Sequence, residues 1–390
     1  MMPPFAIVSY TIFFAVFAVL LYCYDRDRYM ARIPYGLLIL WLIAFSAFRY
    51  NVGIDYAAYR LGYEQAHSEM LNHMEPVWKL LRRFLVYMNF DPSFWFLLTS
   101  LMIVGITVPF YRRYSHHFVV ALLFYVVTYQ LYFETFNMVR QSVAIAVSLW
   151  AWPLFGQKKY WKSLALILLA FCFHRSIIIL VILLPLCHTK IPSWLFWVLL
   201  PVSLLLLPRV ILPLTHQLTP LIETILPSYE VYLKKGPQEI EIGSGLNFVQ
   251  KLIFSFYFLF RQRDILAKDR TLRPYFNAFF VALLLNNTFS VAFPEVKRFM
   301  YNLFFLAPLL VAALYKLGTK WDRRIVMFFI FTECLLTLKL IVEEKNRANY
   351  QLIFKDAQAP MDYRYIGTMQ QGLPWQEIPY KVSVSPSHSA

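Results

Sequence analysis

The chain has 390 residues, 59% hydrophobic and 15% charged, where soluble domains run at about 45–50% and about 25%. That balance excludes an ordinary soluble globular fold. The net charge of +15 does not point to nucleic acid, because the Lys and Arg residues sit in short loops between apolar runs, the positive-inside pattern of membrane proteins.

Apolar runs of about 18 residues or more, enough to cross a hydrocarbon core of about 30 Å, recur along the chain. Residues 6–24 form the first expected span. It lacks a basic n-region and a small-residue cleavage site, so it reads as a retained anchor. The loop DRDRYMAR carries Arg26, Arg28 and Arg32, which places it in the cytoplasm and the N-terminus outside. Residues 33–48 return outward. Residues 49–91 are then an external segment, in which Val77, Leu80, Leu81, Phe84 and Leu85 are spaced for an amphipathic helix at the interface.

Residues 94–111 go in to Arg112 and Arg113, and 118–133 come out. Residues 137–155 go in to Lys158, Lys159 and Lys162, and 164–184 come out with His174 near the middle. The stretch 194–226 is broken by Pro201, Pro208, Pro213 and Pro220, as two short spans or as one span plus a re-entrant piece. An even number of crossings puts the loop 227–245 outside. Residues 246–260 enter the basic loop RQRDILAKDRTLR, 275–293 come out, PEVKR is external, 299–315 go in and 325–342 come out. The expected fold is an all-α, polytopic integral membrane helical bundle of about 11–12 spans. Residues 1–342 form its membrane domain and 343–390 a polar external tail, with no internal repeat evident.

This threading brings Arg49, Asp55, Glu75, the start of the span bearing Arg140, the loop 227–245 and Arg298 to one outer face. The positive-inside rule explains basic residues at cytoplasmic ends and leaves those on the outer face unexplained. They ask for an anionic partner. Arg140 and the His174–Arg175 pair also lie within or near the membrane, where an Arg at a helix centre costs roughly 2.5–3.5 kcal/mol on insertion scales. At 100° per residue, Asn137, Arg140, Gln141, Ala144 and Ser148 share a stripe, while Val143, Ala146 and Trp150 look the other way. Such a stripe faces a cavity or a packed neighbour.

Structural readings compete with the functional ones. Arg140 pairing with an internal Glu such as Glu134 would serve the fold alone, and His174 reads equally well as a satisfied core histidine. Arg175 faces a different neighbour. Cys23, Cys172, Cys187 and Cys334 lie in or beside apolar runs without CxxC spacing and read as small core residues. Asp25-Arg26-Asp27 has the form of a metal-holding DxD but lies in a cytoplasmic turn between basic residues. Glu64, His67, Glu69, His73 and Glu75 supply one ExxH where a bundle di-iron site needs two. No GxGxxG, P-loop, GxSxG or HExxH is present. Neither a metal nor a cofactor is expected.

The segments FRYNVGIDYAAYR, EPVW, FNMVRQSVAIAV, KKYWKSLALILLAFCFHRSIIIL, SYEVYLKKG and KRFMYNLFF, in this order and spacing, resemble the EpsG family of Wzy-like polysaccharide polymerases. The resemblance covers about residues 5 to 340 and leaves out the tail and the proline-broken stretch. It implies an enzyme of the bacterial plasma (inner) membrane, working at the outer face. There a growing glycan would pass from undecaprenyl diphosphate to a hydroxyl of an incoming lipid-linked repeat unit.

That chemistry matches the residues present. A departing diphosphate is stabilised by guanidinium groups, which meet phosphate with two parallel hydrogen bonds. Arg140 and Arg298, with Arg49 in support, are the candidates, and Gln141 and Glu75 belong to the same substrate-binding set. The acceptor hydroxyl must lose a proton, for which Asp55 in NVGID is the first choice and His174 the second. Tyr56, Tyr59, Tyr229 and Tyr232 offer flat surfaces to sugar rings. Expected partners are undecaprenyl-diphosphate-linked oligosaccharides and the bilayer, with a chain-length regulator and a repeat-unit flippase as candidate proteins and no nucleic acid. Two rivals stand beside the polymerase: a ligase of O-antigen type using the same lipid donor, and a flippase or exporter. The exporter is disfavoured because only the stretch 194–226 looks interrupted.

Overall fold

The structure is a computed structural model that describes residues 4–26, 30–53, 55, 56, 59, 60, 74–128, 131–205, 246–289, 296–343, 351 and 352. Among these the chain is a polytopic all-α membrane bundle. Its first half runs through α1 (Pro4–Arg26), α2 (Arg32–Ala47), α3 (Pro76–Tyr87), α4 (Pro92–Tyr114), α5 (Phe118–Val127), α6 (Val139–Leu149), α7 (Ala151–Gly156) and α8 (Tyr160–Phe173). The second half continues through α9 (Leu180–His188), α10 (Ser193–Leu205), α11 (Leu246–Lys268), α12 (Arg273–Phe289), α13 (Val296–Phe304), α14 (Ala307–Leu317) and α15 (Lys320–Glu343). Long enough and apolar enough to cross a membrane, among the described residues, are Ala6–Arg26, Pro92–Tyr114 and the run Arg298–Leu317 through α13 and α14.

Several spans expected to be continuous are broken, and the breaks have local causes. Proline lacks an N–H and its ring collides with the carbonyl four residues back. Pro153 therefore stops α6 at Leu149, and Pro308, in the first turn of α14, stops α13 at Phe304. The expected span 118–133 ends as helix at Val127, and a 3-10 turn over Phe133–Phe136 leads into α6. The expected span 164–184 stops at Phe173. His174 adopts an extended backbone, with φ −158° and ψ 127°, before a 3-10 turn over Arg175–Ile179. The amphipathic helix forms as expected: α3 opens on Pro76, buries Trp78, Arg82 and Leu85, and leaves Leu80, Phe84 and Tyr87 exposed.

One end of the bundle gathers the basic connections. Arg112 lies 4.0 Å over the Tyr35 ring, His116 Nε2 sits 3.0 Å from Asp269, and the His117 and Tyr315 rings are 5.1 Å apart. Lys268 donates to the Leu317 carbonyl. The turns α1–α2, α4–α5, α11–α12 and α14–α15 therefore share this end.

The other end collects the turn after α2, the start of α3, the start of α6, the break at His174 and the start of α13. Here β1 (Arg49–Tyr50) pairs antiparallel with β2 (Gln351–Leu352), Arg49 opposite Leu352 and Tyr50 opposite Gln351. The described part of the tail thus lies against the segment that follows α2. Between the ends, α6 is the central helix: Val139 and every residue from Gln141 to Leu149 are buried, and only Arg140 keeps partial exposure. The expected division into a polar stripe and an opposite apolar face is therefore a division between packed neighbours. The loop 227–245 with Tyr229 and Tyr232, the second half of 194–226, and Glu64, His67, Glu69 and His73 lie outside the described residues.

Candidate functional site

The site is built where α6 begins. Arg140 stands in the first turn of a helix that has no acidic residue there, a position where the helix dipole opposes a cation. The compensating charge comes from far away in sequence. Glu75, 5% exposed at the entry to α3, accepts from Arg140 Nη1 at 2.5 Å. The pairing proposed from sequence with Glu134 is thus replaced by one that ties α3 to α6. Tyr59 hydrogen-bonds the same guanidinium, and the Asp55 carboxylate acts on Tyr59 in turn. Burial holds the Tyr59 phenol above its usual range; Arg140 works against that shift and Asp55 with it. Tyr59 is accordingly a neutral hydroxyl near neutral pH.

The next residue opens a second chain of contacts. Gln141, 2% exposed, donates through Nε2 to the Arg298 carbonyl and, at 3.4 Å, to Asn302 Oδ1. Asn302 Nδ2 donates to the Ser176 carbonyl at 3.2 Å. Ser176 Oγ lies 2.8 Å from His174 Nδ1, and the Ser176 amide donates to the same nitrogen at 3.2 Å. The carbonyl freed by the end of α8, that of Phe173, accepts from Trp78 Nε1 at 2.6 Å. The charges of Arg140, Arg298 and Arg175 all act on the His174 ring. Among the described residues, the buried Gln141 Oε1 and Arg140 Nε have no hydrogen-bond partner, and a buried polar atom without one costs about 1–3 kcal/mol. Oε1 accepts only from a donor such as a hydroxyl, and Nε donates to an acceptor such as a phosphate oxygen.

Arg140, Gln141, Glu75, Tyr59, Asp55, His174 and Arg298 are thus joined by direct contacts or by their charges. Arg49 stands aside. Its guanidinium, 1% exposed, lies 4.9 Å from the Phe96 ring and 4.7 Å from the Phe136 ring, and it donates to the Ser46 carbonyl and, at 3.4 Å, to the Phe136 carbonyl. That packing pins the turn before α6 to α2 and α4. Tyr56 stacks on Phe96 at 4.4 Å and belongs to this buried support. Gly53 closes it: with φ +100°, a Cβ there would stand 2.8 Å from Asn137 Oδ1. Tyr229 lies outside the described residues.

Sequence reasoning passed over Ser176, Asn302 and Trp78, although all three fall inside the motifs quoted above. Ser176 left a readable signal, a hydroxyl residue two positions after a histidine in an apolar run, the spacing at which side chains cap and interrupt helices. On the other side of α13, about 200° round from Asn302, Phe304 lines a partly open pocket with Phe254, Phe258, Phe329, Lys251 and Glu333. Its mostly apolar wall suits hydrocarbon and lies apart from the polar cluster.

The basic turns gather at one end of this helical membrane bundle, and at the other the arginines, the hydrogen-bonding side chains and His174 cluster about the start of α6. The chain belongs to the EpsG family, whose model matches residues 32–354. Membership makes it a membrane protein of the polysaccharide-polymerase type, and the match runs past α15 through β2. No curated protein and no solved structure matches the chain.

Proposed function

We propose that the protein is a glycosyltransferase that lengthens a glycan by moving it from undecaprenyl diphosphate onto a hydroxyl of a lipid-linked repeat unit. The observation that supports this most is the convergence of the Arg140 and Arg298 charges on His174, beside Glu75 and Tyr59. In the transfer, the bond from the anomeric carbon to the diphosphate oxygen breaks and a bond to the acceptor oxygen forms. Arg140 and Arg298 would meet the charge developing on the diphosphate, and preorganised donors in a water-poor site are the strongest source of such stabilisation. The acceptor proton would pass to Asp55. Gln141 Oε1 and Tyr59 would hold sugar hydroxyls, and Glu75 would keep Arg140 in place.

The end bearing the basic turns would face the cytoplasm, and the site would then lie at the outer face of the plasma membrane. A cysteine introduced at Lys235 is expected to react with an impermeant reagent in intact cells. Reaction only after lysis would reverse the orientation. In cells that depend on this chain for polymer, Arg140→Ala is expected to leave lipid-linked material of single-repeat length with normal protein in the membrane. Full-length polymer would remove Arg140 from the site.

The exporter reading gains one observation. The breaks at His174 and after Phe304 add to the interruption expected in 194–226, and helices interrupted at membrane depth also build transport sites. Extension of lipid-linked units by the purified protein, without nucleotide sugar and with chelator present, separates the two: an exporter leaves their length unchanged.

A further inference from the structure

We propose that Ser176 holds His174 in the tautomer with its proton on Nε2, so that His174 enters the transfer as a hydrogen-bond donor and not as the base. The argument starts from the broken helix. A backbone amide can only donate, and the Ser176 amide points at His174 Nδ1 from 3.2 Å. Nδ1 must therefore present its lone pair. A neutral imidazole whose Nδ1 is unprotonated carries its proton on Nε2. An imidazolium, or the opposite tautomer, would set N–H against N–H.

The turn that enforces this is held from both sides. Trp78 Nε1 takes the Phe173 carbonyl at 2.6 Å, and Asn302 Nδ2 takes the Ser176 carbonyl at 3.2 Å. Asn302 is itself tied to Gln141, next to Arg140. The Ser176 hydroxyl, 2.8 Å from Nδ1, adds a donor to the one its amide supplies. The charged groups acting on the ring are the cations Arg140, Arg298 and Arg175. An oxyanion held among them would meet an N–H at Nε2.

The inference rests on the transferase reading for its chemistry. His174 would supply a neutral donor to a diphosphate oxygen, alongside the guanidinium groups, and Ser176 and Asn302 are positioning residues for it. The proton of the acceptor hydroxyl then falls to Asp55, and the two candidate bases separate into one base and one donor.

The test has an arm that needs no activity. Nitrogen-15 NMR of histidine-labelled full-length protein in detergent, with the His174 signals assigned by their loss in His174→Gln, is expected to show Nδ1 unprotonated and Nε2 protonated at neutral pH. A proton on Nδ1 overturns the proposal whatever the reaction is. In the extension assay, His174→Gln places an amide N–H near the Nε2 position and is expected to keep at least about a tenth of the wild-type rate, while His174→Ala loses about 10²–10³-fold, the usual cost of one oxyanion donor. The pH profile of His174→Gln is expected to keep the shape of the wild type. Glutamine no better than alanine, or a profile that loses an imidazole limb, would return His174 to the role of base. Ser176→Gly, which keeps the amide and removes the hydroxyl, is expected to fall less than about tenfold with the tautomer unchanged, and a change of tautomer would refute the amide's part.

Discussion

The two ends of the bundle both hold buried ionic clusters, and they differ in how fully the groups are satisfied. At the basic end, Asp322 is fully buried at the start of α15 and accepts from the Tyr257 hydroxyl, from Arg261 Nε and Nη2 at 2.9 Å each, and from the Thr319 amide and hydroxyl at 2.5 and 2.8 Å. Arg261 spends its remaining terminal nitrogen on Asp264. Each of these donor atoms has an acceptor, and the cluster fastens α11 to α15. At the opposite end, among the described residues, Arg140 answers Glu75 and Tyr59 but keeps Nε without a partner, Gln141 keeps Oε1 without one, and the charges of Arg298 and Arg175 join that of Arg140 around His174. On the proposed function, the contrast separates charge used to join helices from charge that would meet a ligand. A closed network rigidifies, and an open one costs stability that binding of the proposed substrate would offset.

The contrast can be broken by substitution. Asp322→Ala takes the buried acceptor from Arg261 Nε and Nη2 and leaves the guanidinium only the exposed Asp264, a change that costs up to about 3–5 kcal/mol. It is expected to lower yield and melting temperature sharply while the folded fraction turns over at the wild-type rate. Thermal unfolding and activity per folded molecule check it, and a loss of specific activity at normal stability would erase the distinction. Arg140→Ala also strands the buried Glu75 and so costs some stability, but its larger effect is expected on activity, with turnover per folded molecule down by about 10²–10³-fold and membrane insertion preserved. Arg140→Lys is expected to remain impaired by at least about tenfold, since a point charge cannot replace the planar fork.

Smaller effects sharpen the picture. Gly53→Ala places a Cβ 2.8 Å from Asn137 Oδ1 on a backbone with φ +100°, and strain of this kind costs of order 1–3 kcal/mol. Because Asn137 lies two residues before the start of α6, the expected signature is a loss of turnover that exceeds the loss of stability. Wild-type activity would mean that the Asn137 turn does not position Arg140.

The pH dependence comes from Asp322. Burial raises its carboxyl, but hydrogen bonds from Tyr257, Thr319 and Arg261 prevail and hold it below its usual value. A depressed carboxylate contributes stability that is complete above its unfolded value, about 3.9, and is lost as pH falls through the folded one. Melting temperature is expected to show no loss from this group above about pH 5 and to fall below about pH 4, with the acid slope reduced in Asp322→Asn. An equal slope in that variant would show that other groups carry it.

Much of this arrangement was legible in the sequence, because membrane spans and loop charge are carried by long runs of residue type. Ala6–Arg26, Pro92–Tyr114 and the amphipathic Pro76–Tyr87 fall where hydropathy and spacing put them. The convergence of Arg140, Glu75 and Arg298 followed from counting crossings. What escaped was local and polar. The break at His174 depends on hydrogen bonds from Ser176, Trp78 and Asn302, whose partners are as far apart as 126 residues. Hydropathy reads His174 as one polar residue inside a span. Arg49 differs for a related reason: its place at the end of the bundle opposite the basic turns is readable, whereas its enclosure between Phe96 and Phe136 depends on packing between distant helices.

The most direct trial is reconstitution. Purified protein in lipid nanodiscs would be given synthetic repeat units on undecaprenyl diphosphate, without nucleotide sugar, and the products separated by length. A ladder of multiples of the repeat, with released lipid diphosphate in step, is the result expected for the wild-type protein, and none for a folded Arg140→Ala variant. Repeat units that stay single with the wild-type protein, or a ladder of equal length from the variant, would contradict the account.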